Sequence, residues 1–224
     1  NILFTNNDSV YETAISLIQK GINIEAIIDN REEVDSKLVY EVEKNNIKIF
    51  KGYTVTNTFG YKRINKISIK QLSKDGQKVI GSNIDLICDC LGISGGWTPA
   101  VHLFTQSGGK LKFRNEDQTF IPNIYPSDQI SIGACNGDLT LDEILTNTPN
   151  SLKEFLNIKN TEYENLEILS STNKSKRNIW LLPSDKVLGK TKSFVDYQND
   201  ATAKDIKLAL REGFRSIEHV KRYT

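Results

Sequence analysis

The rhythm of hydrophobic and polar positions changes several times along the chain. Asn1 to Phe4 is a short apolar run, and Thr5-Asn6-Asn7-Asp8-Ser9 is a polar loop rich in helix N-capping residues. From Val10 the apolar residues Ala14, Ile15, Leu17 and Ile18 recur at helical spacing, and Gly21 suits the position just past a helix end. Ile24 to Ile28 reads as a second strand ending at Asp29, Glu33 to Asn45 as a second helix, and Ile47 to Phe50 as a third strand. This β-α-β-α-β order is the mononucleotide-binding half of a Rossmann fold. Strict alternation then takes over in Tyr53 to Asn57, Lys62 to Leu72 and Gln77 to Ile80, with Asp75-Gly76 as a hairpin signal. A β-meander is expected there. Ile84 to Cys90 reads as a buried strand that closes this domain and ends at Gly92.

Beyond Gly92 the pattern is less regular. Ile130 to Ile132 predicts a short strand, Gly133 to Gly137 a loop, and Leu139 to Leu145 a helix that ends at Asn147 to Asn150. Asn157 to Arg177 is polar and poorly determined, and Ile179 to Leu182 suggests one more strand. At the C-terminus Thr202 and Asp205 approximate a capping box, followed by the apolar positions Ile206, Leu208, Ala209 and Leu210. Gly213 stops that helix. Ser216 caps another, with Ile217 and Val220 facing inward, so the end is an αα-hairpin.

Two glycine-bearing loops are the candidate binding elements. Gly95, Gly96, Trp97 and Thr98 follow the strand that precedes Gly92, where open α/β sheets bind ligands. Gly95 and Gly96 are free to take positive φ and let backbone amides approach a ligand closely. Gly133, Ala134, Cys135, Asn136 and Gly137 form a small loop ahead of a helix, with amides able to point at an anion. Both stretches also fit ordinary turns and caps. The first Rossmann turn, by contrast, has no glycine between Thr5 and Val10, where G-x-G-x-x-G is needed to admit a pyrophosphate. Asp8 places a carboxylate there instead, and Asp29 then reads as a solvated strand end.

Composition narrows the function class. Lys and Arg number 29 against 28 Asp and Glu, a net charge of +1 that excludes a nucleic-acid binder of the usual basic kind. No apolar run reaches membrane-span length, and no signal peptide is present. Cys88, Cys90 and Cys135 make no disulfide framework and suit a reducing compartment, hence a cytoplasmic location. Cys88 and Cys90 share one face of the expected strand as a buried pair, and no metal set forms around them. The only histidines are His102 and His219, and no catalytic triad can be built. The chain has no methionine and reads as an internal piece of a longer polypeptide.

The run "SGGWTPAVHLFTQSGGK", the segment Ile132 to Gly137 and the C-terminal "FVDYQNDATAKDIKLALREGFRSIEHVKRYT" resemble the alpha subunit of heterotetrameric sarcosine oxidase. The resemblance covers most of the chain and is thinnest at 113–130 and 150–190. It implies an α/β architecture in several parts. Residues 1–90 would be a Rossmann-like, NAD-type domain with a degenerate turn. Residues 91–150 would be the later part of a flavin-type dinucleotide-binding domain, 151–190 a linker, and 191–224 a small helical domain resembling a cluster-less [2Fe-2S]-binding domain. In that last domain Asp196 and Gln198 stand where related subunits carry thiolates. The resemblance further implies NAD bound in this subunit without hydride turnover, with FAD and FMN elsewhere in the complex. The partners would be beta, gamma and delta subunits. The complex would oxidise sarcosine to glycine with hydrogen peroxide and methylene-tetrahydrofolate as products, and this chain would carry no catalytic residue. The alternatives are an alpha-like subunit of an opine or proline dehydrogenase, or a nucleotide-free scaffold for a partner subunit.

Overall fold

The computed structural model describes residues 1–126, 128–158 and 178–224. The chain packs as two compact units. One holds residues 2–51 and 92–178, the other residues 52–91 and 179–224 together with Asn1. The meander and the C-terminal segment thus fall in one unit.

The first unit begins as expected, with β1 (Ile2–Thr5), α1 (Ser9–Gln19), β2 (Ala26–Asp29), α2 (Ser36–Glu43) and β3 (Lys48–Lys51). β1 pairs in parallel with β2, and β2 with β3. Every residue of β1 and β2 is buried. That is why these strands read as continuous apolar runs, since a parallel sheet covered on both faces leaves no polar side. Leu3 and Ile27 meet Val10, Tyr11 and Ala14 of α1 and Val39 and Val42 of α2 in one core cluster. Each such aliphatic side chain stabilises the fold by about 1.5–3 kcal/mol through burial. Gly21, with φ +79°, follows α1, and Asp35 caps α2 by accepting from Lys37 N at 2.8 Å.

The second unit holds the meander of β4 (Tyr53–Gly60), β5 (Ile64–Leu72) and β6 (Val79–Ile87), antiparallel in that order. Asp75-Gly76 turns the chain between the last two, with Gly76 at φ +71°. Here the expected buried strand from Ile84 to Cys90 is corrected. Ile84 to Ile87 belongs to β6, where Asp85 takes hydrogen bonds from Lys66 Nζ at 2.7 Å and Ser68 Oγ at 2.5 Å. A fully buried strand would strand that carboxylate, so β6 lies at the sheet edge and Ile87 is exposed. Cys88 and Cys90 fall in the connection that follows, one buried and one exposed, and are not a pair on one strand face.

The strand that closes the parallel sheet is instead β7 (Leu91–Ser94), next to β1 in the order β3-β2-β1-β7. After it come α3 (His102–Gln106) and the hairpin of β8 (Lys110–Arg114) and β9 (Thr119–Ile124). Ile130 to Ile132 is not a strand, because no strand among the described residues pairs with it. Gly133–Asn136 is a single 3₁₀ turn, and α4 (Leu141–Leu156) starts later and ends later than expected. It runs through Pro149 and stops at Asn157, where φ reaches +53°. Its start is a complete capping box. Glu143 N donates to Thr140 Oγ1, while Glu143 Oε2 accepts from Thr140 N at 3.2 Å and Leu139 N at 3.0 Å.

The polar tract at 157–177 lies almost wholly outside the described residues. Ile179 to Leu182 forms no strand, and Trp180 is exposed. The C-terminal part folds as β10 (Phe194–Asp196), β11 (Ala201–Thr202), α5 (Ala203–Arg211) and α6 (Ile217–Tyr223). Thr202 and Asp205 do form a capping box, the shorter Asp still accepting from Thr202 N at 2.9 Å. Ser216 occupies the α6 cap position without a side-chain cap bond. Val220 is buried, but Ile217 is exposed, contrary to its expected inward position, because α6 has only seven residues and packs one turn. Among the described residues no helix is long and apolar enough to cross a membrane.

Candidate functional site

Gly92 lies against β1, where an added Cβ would come within 2.8 Å of Leu3 Cδ2. At the other end of β7, Ser94 Oγ accepts from Asn7 Nδ2 at 2.9 Å. Both strands therefore end at the same edge. The order β3-β2-β1-β7 makes the gap between β1 and β7 the point where successive connections diverge, which is where open α/β sheets take ligands.

The Gly95–Thr98 loop leaves from this edge. Gly96 has φ +95°, and a Cβ there would meet Asn6 Oδ1 at 3.1 Å and Nδ2 at 3.4 Å. Gly95 takes no positive φ and has open space around it, so only one glycine of the pair is conformationally required. Trp97 and Thr98 are exposed. Among the described residues no backbone hydrogen bond engages the amides of Gly95, Gly96, Trp97 or Thr98.

The Gly133–Gly137 stretch is built differently from its expected form. It is a 3₁₀ turn four residues ahead of α4, and the α4 capping box already engages the amides at 139, 140 and 143. It is therefore not a helix N-terminus open to an anion. Gly133 has φ +66°, with only Ile144 within 4 Å of an added Cβ. Gly137 is the constrained glycine, at φ +94° with Arg114 Nη2 at 2.9 Å and Ile121 Cγ2 at 3.0 Å from an added Cβ. The Gly137 amide donates to Ala134 O, Cys135 Sγ to Ile132 O, and Tyr125 OH to Asn136 Oδ1.

A polar chain that sequence reasoning missed ties the two loops together. Asn6 Nδ2, beside Gly96, donates to Asn178 Oδ1 at 3.4 Å, and Asn178 Nδ2 donates to Asp117 O. Asp117 accepts two bonds from Arg114, at 2.9 and 2.5 Å, and Arg114 Nη2 donates to Gly137 O at 3.1 Å. The bonds from Arg114 to Asp117 hold the guanidinium pKa above its ordinary value. Arg-x-x-Asp within a β-turn was the only part of this chain visible from spacing alone.

The corner between β1 and β2 is closed by protein groups. Asp29 is not a solvated strand end. It is fully buried and accepts from Tyr11 OH at 3.0 Å and from Arg31 N, Nε and Nη2 at 2.9, 3.1 and 2.7 Å. Arg31, also buried, reaches across to Asp8 Oδ1 at 2.7 Å. Burial pushes the Tyr11 hydroxyl well above the usual tyrosine range, and the Asp29 carboxylate pushes it further. Burial opposes the Arg31 charge, but hydrogen bonds and charge from Asp29 and Asp8 outweigh it and raise its pKa. Asp8, at the α1 N-terminus, makes no side-chain cap bond and spends its carboxylate on Arg31. A dinucleotide would need the ground these four side chains occupy.

Asp196 and Gln198, the positions of interest in the C-terminal part, lie in the β10–β11 connection. Asp196 accepts from Asn199 Nδ2 at 2.7 Å and Gln198 N at 2.8 Å, which holds its carboxyl below the usual range. Among the described residues no group of three or more His, Cys, Asp or Glu is placed to hold a metal.

The sarcosine oxidase A3 domain family matches residues 190–224, the span from the 3₁₀ turn before β10 to the end of α6. The sarcosine oxidase alpha subunit of Corynebacterium sp. strain U-96 is 29% identical over 225 residues, covering 98% of this chain. Over nearly its whole length the chain is similar to sarcosine oxidase alpha subunits. The alpha subunit of Rhizobium meliloti strain 1021 is 27% identical over 234 residues, covering 99% of the chain. The chain spans 23% of the length of the first relative and 21% of the second. Among solved structures, T. acidophilum thioredoxin reductase gives a TM-score of 0.49 at 19% identity, over 70% of this chain and 51% of that one. L-proline dehydrogenase of P. horikoshii gives 0.46 at 15% identity, over 99% and 44%.

Proposed function

We propose that this chain is a non-catalytic, dinucleotide-binding portion of an oxidoreductase alpha subunit of the sarcosine oxidase type. The observation that carries the site is the Gly95–Thr98 loop. Its four residues are exposed and their amides have no described backbone partner, at the sheet edge beside the β1–β7 gap. Such amides fit a pyrophosphate, which offers only acceptors. Gly96 leaves Asn6 in place where a side chain would displace it. In this reading Gly133, Ala134, Cys135, Asn136 and Gly137 border the site as a 3₁₀ turn, not as an anion-binding helix N-terminus, at the other end of the Asn6–Asn178–Asp117–Arg114 chain, and residues outside this chain supply the remainder. The dinucleotide is NAD in this reading.

The intact complex oxidises sarcosine to glycine with hydrogen peroxide and methylene-tetrahydrofolate as products. It holds FAD and FMN outside this chain and assembles with beta, gamma and delta subunits in the cytoplasm. The division at residues 90, 150 and 190 belongs to the same proposal. A second reading, a nucleotide-free scaffold for a partner subunit, is favoured by the Arg31 closure of the β1–β2 corner.

Nucleotide released on denaturing the intact subunit, measured by mass spectrometry, separates the two. Gly96→Ala and Gly133→Ala should each lower nucleotide content beyond their loss of stability, with Gly76→Ala as the stability control. Full nucleotide content in both folded loop variants would show that these glycines are only turns. No nucleotide in the parent subunit would select the scaffold.

A further inference from the structure

A second cavity lies in the unit that contains the meander. A pocket of about 400 Å³ opens between β4 and the segment 182–193. Its charged lining is Lys186, Lys190 and Lys192, and among the described residues no carboxylate lines it. The nearest acidic neighbour in sequence, Asp185, is already taken by Lys70 at 2.6 Å. Lys186 Nζ bonds Asn57 Oδ1 at 3.1 Å, joining walls 129 residues apart in sequence. Ser184 and Ser193 also line it, the Thr56 hydroxyl being spent on Ser68 O at 3.2 Å, and Val55, Leu182 and Pro183 supply an apolar wall.

Three lysines thus line one cavity in a chain whose net charge is only +1. Like charges gathered in a cleft repel, and the cleft concentrates their field on whatever anion enters. Lysine binds phosphate as a point charge, and hydroxyls add donors to the same oxygens. A cavity of this size exceeds what a bare phosphate fills, and its apolar wall suits an organic group.

We propose that this pocket binds a small organic phosphate monoester. The phosphate sits among Lys186, Lys190 and Lys192, and the organic part lies on Val55, Leu182 and Pro183. The site is separate from the dinucleotide loops and does not rest on that assignment.

Calorimetric titration of the full chain tests this with four probes: phenyl phosphate, inorganic phosphate, benzoate and phenol. Phenyl phosphate should bind roughly fivefold or more tightly than inorganic phosphate, because only it buries a ring on the apolar wall. Benzoate should bind more weakly than phenyl phosphate, and phenol should give no heat. The double substitution Lys190→Gln with Lys192→Gln should weaken phenyl phosphate by about tenfold at unchanged melting temperature, the scale of one lost charge-assisted contact. Lys190→Arg with Lys192→Arg should retain binding, and Lys20→Gln, just past the end of α1, should change nothing. The proposal is overturned if phenol or benzoate matches phenyl phosphate, if the double Gln variant binds like the parent, or if phenyl phosphate gives no saturable heat.

Discussion

Arg31 is the most demanding test of the closed corner. Replacing it with Met keeps the unbranched apolar stem and removes the guanidinium and its charge. Three side-chain contacts go with it: Nε and Nη2 to Asp29 at 3.1 and 2.7 Å, and Nη1 to Asp8 at 2.7 Å. Asp29, with no exposure, is left with Tyr11 OH and one backbone amide as donors. Breaking one side of a buried ion pair costs about 3–5 kcal/mol, because the surviving charge stays out of water. Domains are stable by only about 5–15 kcal/mol, so the loss takes a large share of the total. The assay is urea unfolding followed by far-UV circular dichroism, with parent and variant compared at pH 7. Adding Asp29→Asn to Arg31→Met should recover at least half of the loss, since the stranded charge is then gone. A loss below about 1 kcal/mol, the scale of an exposed pair, would refute the reasoning, as would a double variant no more stable than the single one.

Tyr11 should make the fold sensitive to alkali. Its pKa is raised in the folded state above the ordinary 10.0, so the stabilisation is complete below pH 10 and is lost as pH rises further. Each pH unit above 10 should cost about 1.4 kcal/mol, and Tyr11→Phe should remove that slope in urea melts between pH 10 and 11.5. Pro149→Ala restores a missing amide inside α4 and should stabilise the chain by about 1–3 kcal/mol, read by thermal melting; no gain would mean that the helix does not run through this position. Gly137→Ala should cost at least about 2 kcal/mol in urea unfolding, from both its φ and the Arg114 and Ile121 contacts. Gly21→Ala, with a similar φ and open space, should cost only about 1 kcal/mol, and equal losses would show that the close contacts carry no energy.

The sequence by itself determined what short-range rules control. The order β1-α1-β2-α2-β3 was legible because two buried parallel strands and two amphipathic helices leave different periods. The Asp75-Gly76 turn and the Thr202–Asp205 capping box were legible because each is closed within three residues of chain. The missing glycines between Thr5 and Val10 were an equally local signal. Other features depended on partners distant in the chain. Whether Asp29 meets water or Arg31 depends on Asp8, on Tyr11 and on the packing that buries all of them. The residues from Ile84 to Ser94 were divided between two sheets by Lys66 and Ser68 on one side and Leu3 and Asn7 on the other. No spacing announced that Gly137 faces Arg114, or that Asn178 reaches Asp117 across 61 residues. Backbone sterics and caps act over a few residues, so a sequence displays them directly. Burial and charge pairing are properties of neighbours in space, and only the assembled fold decides who those neighbours are.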